Sequence, residues 1–275
     1  NDFYNVPTAY SAATSAIGKG SYGAPTAAVS GSKTIESRLT CNVSGQPTGT
    51  TSTSYQWQYS SDGKAWSNST QSDAKSKEFT PNYTWVDLYA RCVVTTSNTY
   101  YDVAQATTAA FGPFGKKTVS AAATLGGSAV TGGTLTCSVS GLPAHGTNAV
   151  SYQWQWSSDK SKWTNSSYSD AKTNSLKLQG SDAGRYYRCV VSVSGNAYYD
   201  VNGAATSASS AIGKGTAAAP TVTVSGGKTY GSSMTATVSG QPSGVTLTSY
   251  QWQYSADGGK TWKDSSWAGY NTNKI

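Results

Sequence analysis

Tyr152-Gln153-Trp154-Gln155-Trp156 alternates aromatic and amide side chains, the period-two pattern of a strand with one buried face. The same stretch occurs as Tyr55-Gln56-Trp57-Gln58 and as Tyr250-Gln251-Trp252-Gln253, at steps of 97 and 98 residues. A step of that size is one small domain, and its recurrence marks a tandem array. Outward from the aromatic strand, Leu39-Thr40-Cys41-Asn42-Val43 and Leu135-Thr136-Cys137-Ser138-Val139 alternate in the same way. Arg91-Cys92-Val93-Val94 and Arg188-Cys189-Val190-Val191 follow it, then Tyr100-Tyr101-Asp102-Val103 and Tyr198-Tyr199-Asp200-Val201. Turn residues at 61–64, 158–160 and 257–259 lead into Trp66, Trp163 and Trp262. Short strands bounded by turns predict an all-β fold, a series of β-sandwiches.

Composition agrees with an extracellular array. Only 12% of residues are charged, and nine Trp and 19 Tyr supply bulk for small cores. Helix formers are scarce, with Glu36, Glu78 and Met234 the only Glu and Met residues. No apolar run approaches the ~20 residues that cross a bilayer as a helix, so no membrane insertion is expected within this segment. The four cysteines fall as Cys41 with Cys92 and Cys137 with Cys189, one pair inside each complete repeat. Even numbers at matching positions predict intradomain disulfides and an oxidising compartment. Metal binding is the competing reading, but there is no Cys-x-x-Cys pair and a single imidazole, His145. The third repeat has Ala236 at the cysteine position, so a bond is not obligatory for the fold.

The order Cys41, Trp57, Cys92, with steps of 16 and 35 residues, resembles the immunoglobulin fold, in which a buried Trp packs on an intersheet disulfide. Cys137, Trp154 and Cys189 repeat the order, and Trp252 is the third equivalent. Asp182-Ala183-Gly184-Arg185-Tyr186-Tyr187-Arg188-Cys189 resembles the tyrosine-corner segment, whereas the first repeat departs from it with Ala90 in place of that tyrosine. The run from Tyr250 to Trp262, preceded by Val238-Ser239-Gly240-Gln241-Pro242, resembles bacterial Ig-like repeats of large surface proteins and adhesins. Similar modules decorate bacteriophage tails and capsids. The resemblance implies tandem Greek-key sandwiches in an elongated array and a non-enzymatic structural or adhesive role on a cell surface. Its alternatives are a virion protein that attaches to a host surface, and a filament subunit assembled by strand exchange.

The repeat register gives four segments: 1–20 as the last strand of a preceding repeat, 21–117 and 118–215 as complete domains, and 216–275 as an incomplete third. Residues 3–6 and 15–20 match 198–201 and 210–215, and Ile275 aligns with about Leu176. The expectation is an excerpt from a longer array with short junctions of limited bending, its first partners being neighbouring repeats.

Catalysis needs converging acids or a base beside a nucleophile. Asp62, Asp159 and Asp257 instead recur at turns, and His145 lies in a loop without a repeat counterpart. No catalytic residue, metal site or cofactor is therefore expected. The net charge of +7 is scattered, without the basic stripe that nucleic acid demands. Cell-surface polysaccharide is the more serious ligand class. Trp66, Trp163 and Trp262 recur and are expected to pack on the sheet, whereas Trp85, Trp156 and Trp267 are unshared and are the candidate sugar-stacking residues. The Asn-x-Ser/Thr matches at Asn42, Asn68, Asn82 and Asn165 are expected by chance in a chain this rich in Ser and Thr.

Overall fold

In this computed structural model, which describes residues 3–242, 244–246 and 249–275, the alternating segments of the first two repeats form strands, whereas of Tyr250–Gln253 in the third only Gln253 lies in one. Asn1 and Asp2 of the expected leading segment, and Ser243, Leu247 and Thr248 of the third repeat, lie outside the described residues. Residues 4–19 carry no strand. The protein is all-β, with two single-turn 3-10 helices among the described residues.

The chain divides into two compact units. The first runs to Ser120 and also takes in Leu142–Ala149 and Ser194–Asn202. Its two sheets are Thr26–Gly31, Leu39–Ser44 and Glu78–Phe79 against Ser67–Asn68, Thr50–Ser60, Tyr89–Asn98 and Ala106–Thr107. Within the larger sheet Trp57 pairs with Cys92, and Gln58 pairs with Arg91 on one side and Asn68 on the other. Odd positions of the aromatic strand therefore face inward, where Trp57 is 0% exposed and stacks on Phe79 at 5.2 Å. The buried cluster contains Ile35, Leu39, Cys41, Trp57, Phe79, Trp85, Cys92, Val94 and Phe114, and Tyr199 joins it.

The second unit repeats the plan. Ala122–Gly127, Thr134–Ser140 and Ser175–Lys177 form one sheet, and Thr164–Asn165, Ala149–Ser157, Tyr186–Ser194 and Ala204–Ala205 the other. Leu135, Cys137, Trp154, Leu176, Tyr187, Cys189 and Ile212 fill its core. Each buried indole needs an acceptor. Trp57 Nε1 donates to the Ser76 carbonyl at 2.9 Å and Trp154 Nε1 to that of Thr173 at 3.0 Å.

Trp252 keeps this bond, to the Thr272 carbonyl at 2.9 Å, but it is only half-buried, which corrects the expectation of a third core tryptophan. Among the described residues the third repeat has a ladder of Thr221–Gly226 with Met234–Ser239, and another of Gln253–Tyr254 with Lys263–Asp264. Val222, Val224, Met234, Ala236 and Trp252 line an open cleft of about 770 Å³. The inner face there meets solvent rather than packed strands.

The turns before Trp66, Trp163 and Trp262 are one device used three times. Asp62 Oδ1 accepts the backbone N–H groups of Lys64 and Ala65 at 2.8 and 3.0 Å, and Asp159 and Asp257 repeat the capture. The Lys64 and Ala65 N–H groups lead at Asp62, and the Ser161 and Thr261 hydroxyls, ahead of the backbone donors, lead at Asp159 and Asp257, so that all three carboxyls are held below the usual range. They are turn residues.

Candidate functional site

In a tandem array the chemistry that matters first is at the joints, and the first unit contains two built the same way. Asn98 accepts the N–H groups of Tyr100 and Tyr101 on its Oδ1, fixing the turn ahead of Tyr101–Val103. Lys19 Nζ donates to the Asn98 carbonyl at 2.8 Å, and the next residues, Gly20–Tyr22, pair in parallel with Tyr101–Val103. Asn196 does the same for Tyr198 and Tyr199, Lys116 Nζ donates to its carbonyl at 2.7 Å, and Lys117–Ser120 pairs in parallel with Tyr199–Asn202. Asn196, 5% exposed, also donates to the His145 carbonyl at 3.0 Å and to Asn148 Oδ1 at 2.8 Å, tying Leu142–Ala149 to Ser194–Asn202.

The second joint adds an aromatic and ionic clasp. His145 lies flat on Tyr83, with centroids 3.8 Å apart and planes 11° apart, and Tyr198 meets Tyr83 edge-on at 5.0 Å. The Tyr199 hydroxyl donates to Glu36 Oε1 at 2.6 Å, and Lys117 Nζ lies 3.1 Å from Glu36 Oε2. The Tyr199 hydroxyl bond, ahead of Lys117, holds the Glu36 carboxyl below its usual range. Burial, reinforced by Glu36, pushes the Tyr199 phenol up to about 12.

Glu36 occupies a backbone site made for glycine. Its φ is 57°, while the aligned Gly132 and Gly231 have φ of 78° and 76°. A side chain in the left-handed region costs about 1–2 kcal/mol. The first repeat bears that cost where the carboxylate reaches Tyr199 and Lys117, so the position is spent on the clasp. Sequence reading missed Glu36, although its alignment with two glycines was the available signal. His145 is exposed, yet its ring is in use.

Trp85 is a correction. It was expected to be a sugar-stacking residue, but it is 4% exposed, packed among Phe79 at 4.9 Å, Tyr59 at 5.7 Å and Phe114 at 6.1 Å. The physical reason is a volume exchange. The second repeat has Asp182 and Tyr187 where the first has Trp85 and Ala90. Asp182, 0% exposed, accepts from the Tyr187 hydroxyl at 2.6 Å, the Tyr168 hydroxyl at 2.9 Å and the Gln179 N–H at 2.7 Å, with Arg185 at 3.5 Å. The Trp85 indole supplies the bulk that Ala90 lacks. Trp156 is half-buried with the Arg185 guanidinium 4.2 Å from its ring, and Trp267 is 67% exposed, parallel to Tyr254 at 6.2 Å.

The expected disulfides are not formed in this structure: Cys41, Cys92, Cys137 and Cys189 are buried free thiols, with Cys92 Sγ donating to the Val93 carbonyl and Cys189 Sγ to that of Val190, each at 3.8 Å. Burial, with a smaller contribution from Cys137, pushes Cys189 up to about 12. Among the described residues no group of three His, Cys, Asp or Glu side chains is placed to hold a metal, and no helix is long and apolar enough to cross a membrane.

No protein-family model matches the sequence, and no curated protein matches it. Among solved structures the chain is similar to the crystal structure of chicken CNTN1 FN1-FN3 domains, at 14% identity over 92% of this chain and 88% of that one, with a TM-score of 0.27. So loose a superposition carries no argument; the sandwich assignment rests on the strand order above.

Proposed function

We propose that this chain is a non-enzymatic, load-bearing segment of an extracellular Ig-like array, a stalk on a bacterial surface protein or surface filament. The observation that carries the reading is the duplicated joint: a lysine on an asparagine carbonyl, followed by a parallel strand pair, at Lys19 with Asn98 and again at Lys116 with Asn196. Such a junction replaces a free linker with backbone hydrogen bonds, which suits a protein whose task is to hold something at a distance. Segments 21–117 and 118–215 are its repeating domains, and the pairs Cys41 with Cys92 and Cys137 with Cys189 are its disulfides outside the cell.

Immunogold electron microscopy with an antibody raised against residues 118–215 tests the reading. Label along fibres on the cell envelope supports it. Label on bacteriophage tails or capsids transfers the array to a virion, and label confined to the cytosol overturns it.

A further inference from the structure

Of the four arginines, two have carboxylate partners: Arg38 lies 3.0 Å from Glu78, and Arg185 lies 3.5 Å from Asp182. The other two, Arg91 and Arg188, stand 97 residues apart at one position of successive repeats. No carboxylate pairs with either among the described residues.

Both are nevertheless held in place, and in the same way. The Arg91 guanidinium lies 4.5 Å from the ring centre of Trp66, its Nε donates to Gln58 Oε1 at 2.6 Å, and Gln58 Nε2 donates to Asn68 Oδ1 at 2.7 Å. The Arg188 guanidinium lies 4.4 Å from Trp163, its Nε donates to Gln155 Oε1 at 2.8 Å, and Gln155 Nε2 donates to Asn165 Oδ1 at 2.8 Å. Since Gln58 pairs with both Arg91 and Asn68, the three side chains make one rung across three strands on the outer face of the sheet. Only Nε is consumed. Among the described residues the Nη nitrogens have no protein acceptor, and they are not among the buried polar atoms that lack one, so they open to solvent.

A guanidinium fixed flat by an indole and an amide has already lost the rotamer freedom that binding would otherwise remove. Its free edge matches the two oxygens of a carboxylate. The neighbouring Gln and Asn amides and the rim of the indole suit hydroxyls and a ring face rather than further charge. We propose that each rung is a binding site for the carboxylate of an acidic sugar, one site per repeat, so that the array binds uronic-acid polysaccharide multivalently. This deepens the surface-array reading by naming its partner, and depends on it only for where the polymer is met. Nucleic acid is a poorer fit, because tight phosphate binding needs many cations along a groove and here one recurs per repeat.

The experiment is calorimetric titration of the full chain with polygalacturonate oligomers, alongside neutral dextran and single-stranded DNA. The variants are Arg91→Lys, Arg188→Lys and the pair, which keep the charge and remove the fork. Each single change is expected to weaken polygalacturonate binding about tenfold, the magnitude of a charge-assisted hydrogen bond, and the double change to weaken it by more than either. Dextran should not bind. Unchanged affinity in the double variant overturns the proposal, as does equally tight binding of single-stranded DNA. A second measurement needs no variant. Galacturonic acid titrated into the wild-type chain should shift the arginine side-chain NMR signals of Arg91 and Arg188 and leave Arg38 and Arg185 unmoved. A uniform response, or none, counts against the site. Neither result touches the immunogold outcome, so the site and the surface location fail separately.

Discussion

Transplanting the second repeat's polar network into the first tests the volume exchange between them. Trp85→Asp alone removes an indole that is 4% exposed, a loss of about 3–5 kcal/mol by comparison with other large-to-small core changes. It also leaves a buried carboxylate without a partner, which costs a further ~3–5 kcal/mol. The total reaches the whole stability of an ordinary domain, so the first sandwich should open. Ala90→Tyr alone forces a phenol against Trp85 and should cost about 1–3 kcal/mol as overpacking. Made together with Gln71→Tyr and Leu88→Arg, the two changes recreate the Asp182 site, in which hydroxyls of Tyr187 and Tyr168 reach the carboxylate at 2.6 and 2.9 Å. The fourfold variant should recover several kcal/mol over the sum of its parts. Native-state hydrogen exchange reads this directly, because amides of Tyr89–Asn98 report the altered sandwich while those of Tyr186–Ser194 serve as an internal reference. Additive losses would refute the reasoning, since the pairs would then not be alternative solutions to one packing problem.

Three further outcomes follow from the joint and the cysteines. The Glu36 carboxyl is held below its usual value, so its stabilisation is complete above the unfolded-state carboxyl pKa of about 4.3 and is lost as pH falls through the lower folded-state value. Exchange of amides in Ser194–Asn202 should therefore accelerate in acid, and Glu36→Gln should flatten that dependence. Glu36→Gly should destabilise the joint less than Glu36→Ala, because glycine relieves about 1–2 kcal/mol of left-handed strain while both lose the clasp; equal melting shifts would contradict this. Air-oxidised protein should show, by intact mass and thiol alkylation, the loss of two hydrogens for each of two bonds. Each loop of about 50 residues should then gain on the order of 4 kcal/mol over the reduced form.

The sandwich was legible because strand period and turn chemistry are local: Tyr152 to Trp156 declares its inward face without reference to anything distant. Trp85 was misread for the opposite reason. A tryptophan without a repeat counterpart looks like a surface addition, and only Ala90, five residues on, hinted at a hole for it to fill. That complementarity is a fact of volume across the core, which no linear pattern carries. The clasp divides similarly. Glu36 aligned with Gly132 and Gly231 was a visible oddity, whereas the stack of His145 on Tyr83 joins residues 62 positions apart and follows from how the loops fold.

The exchange of Trp85 and Ala90 for Asp182 and Tyr187 has a consequence for how the protein is made. Neighbouring copies with nearly the same aromatic strand invite mispairing as the chain leaves the ribosome, when a segment of one can lodge in the unfinished sheet of the next. A segment carrying Asp182 would enter the first sandwich and find Gln71 in place of the Tyr168 hydroxyl. A segment carrying Trp85 would enter the second and collide with Tyr168. Two incompatible interiors beneath similar exteriors let each copy reject its sibling's strand, so divergence in the core protects the fidelity of assembly in an array whose surfaces are free to stay alike.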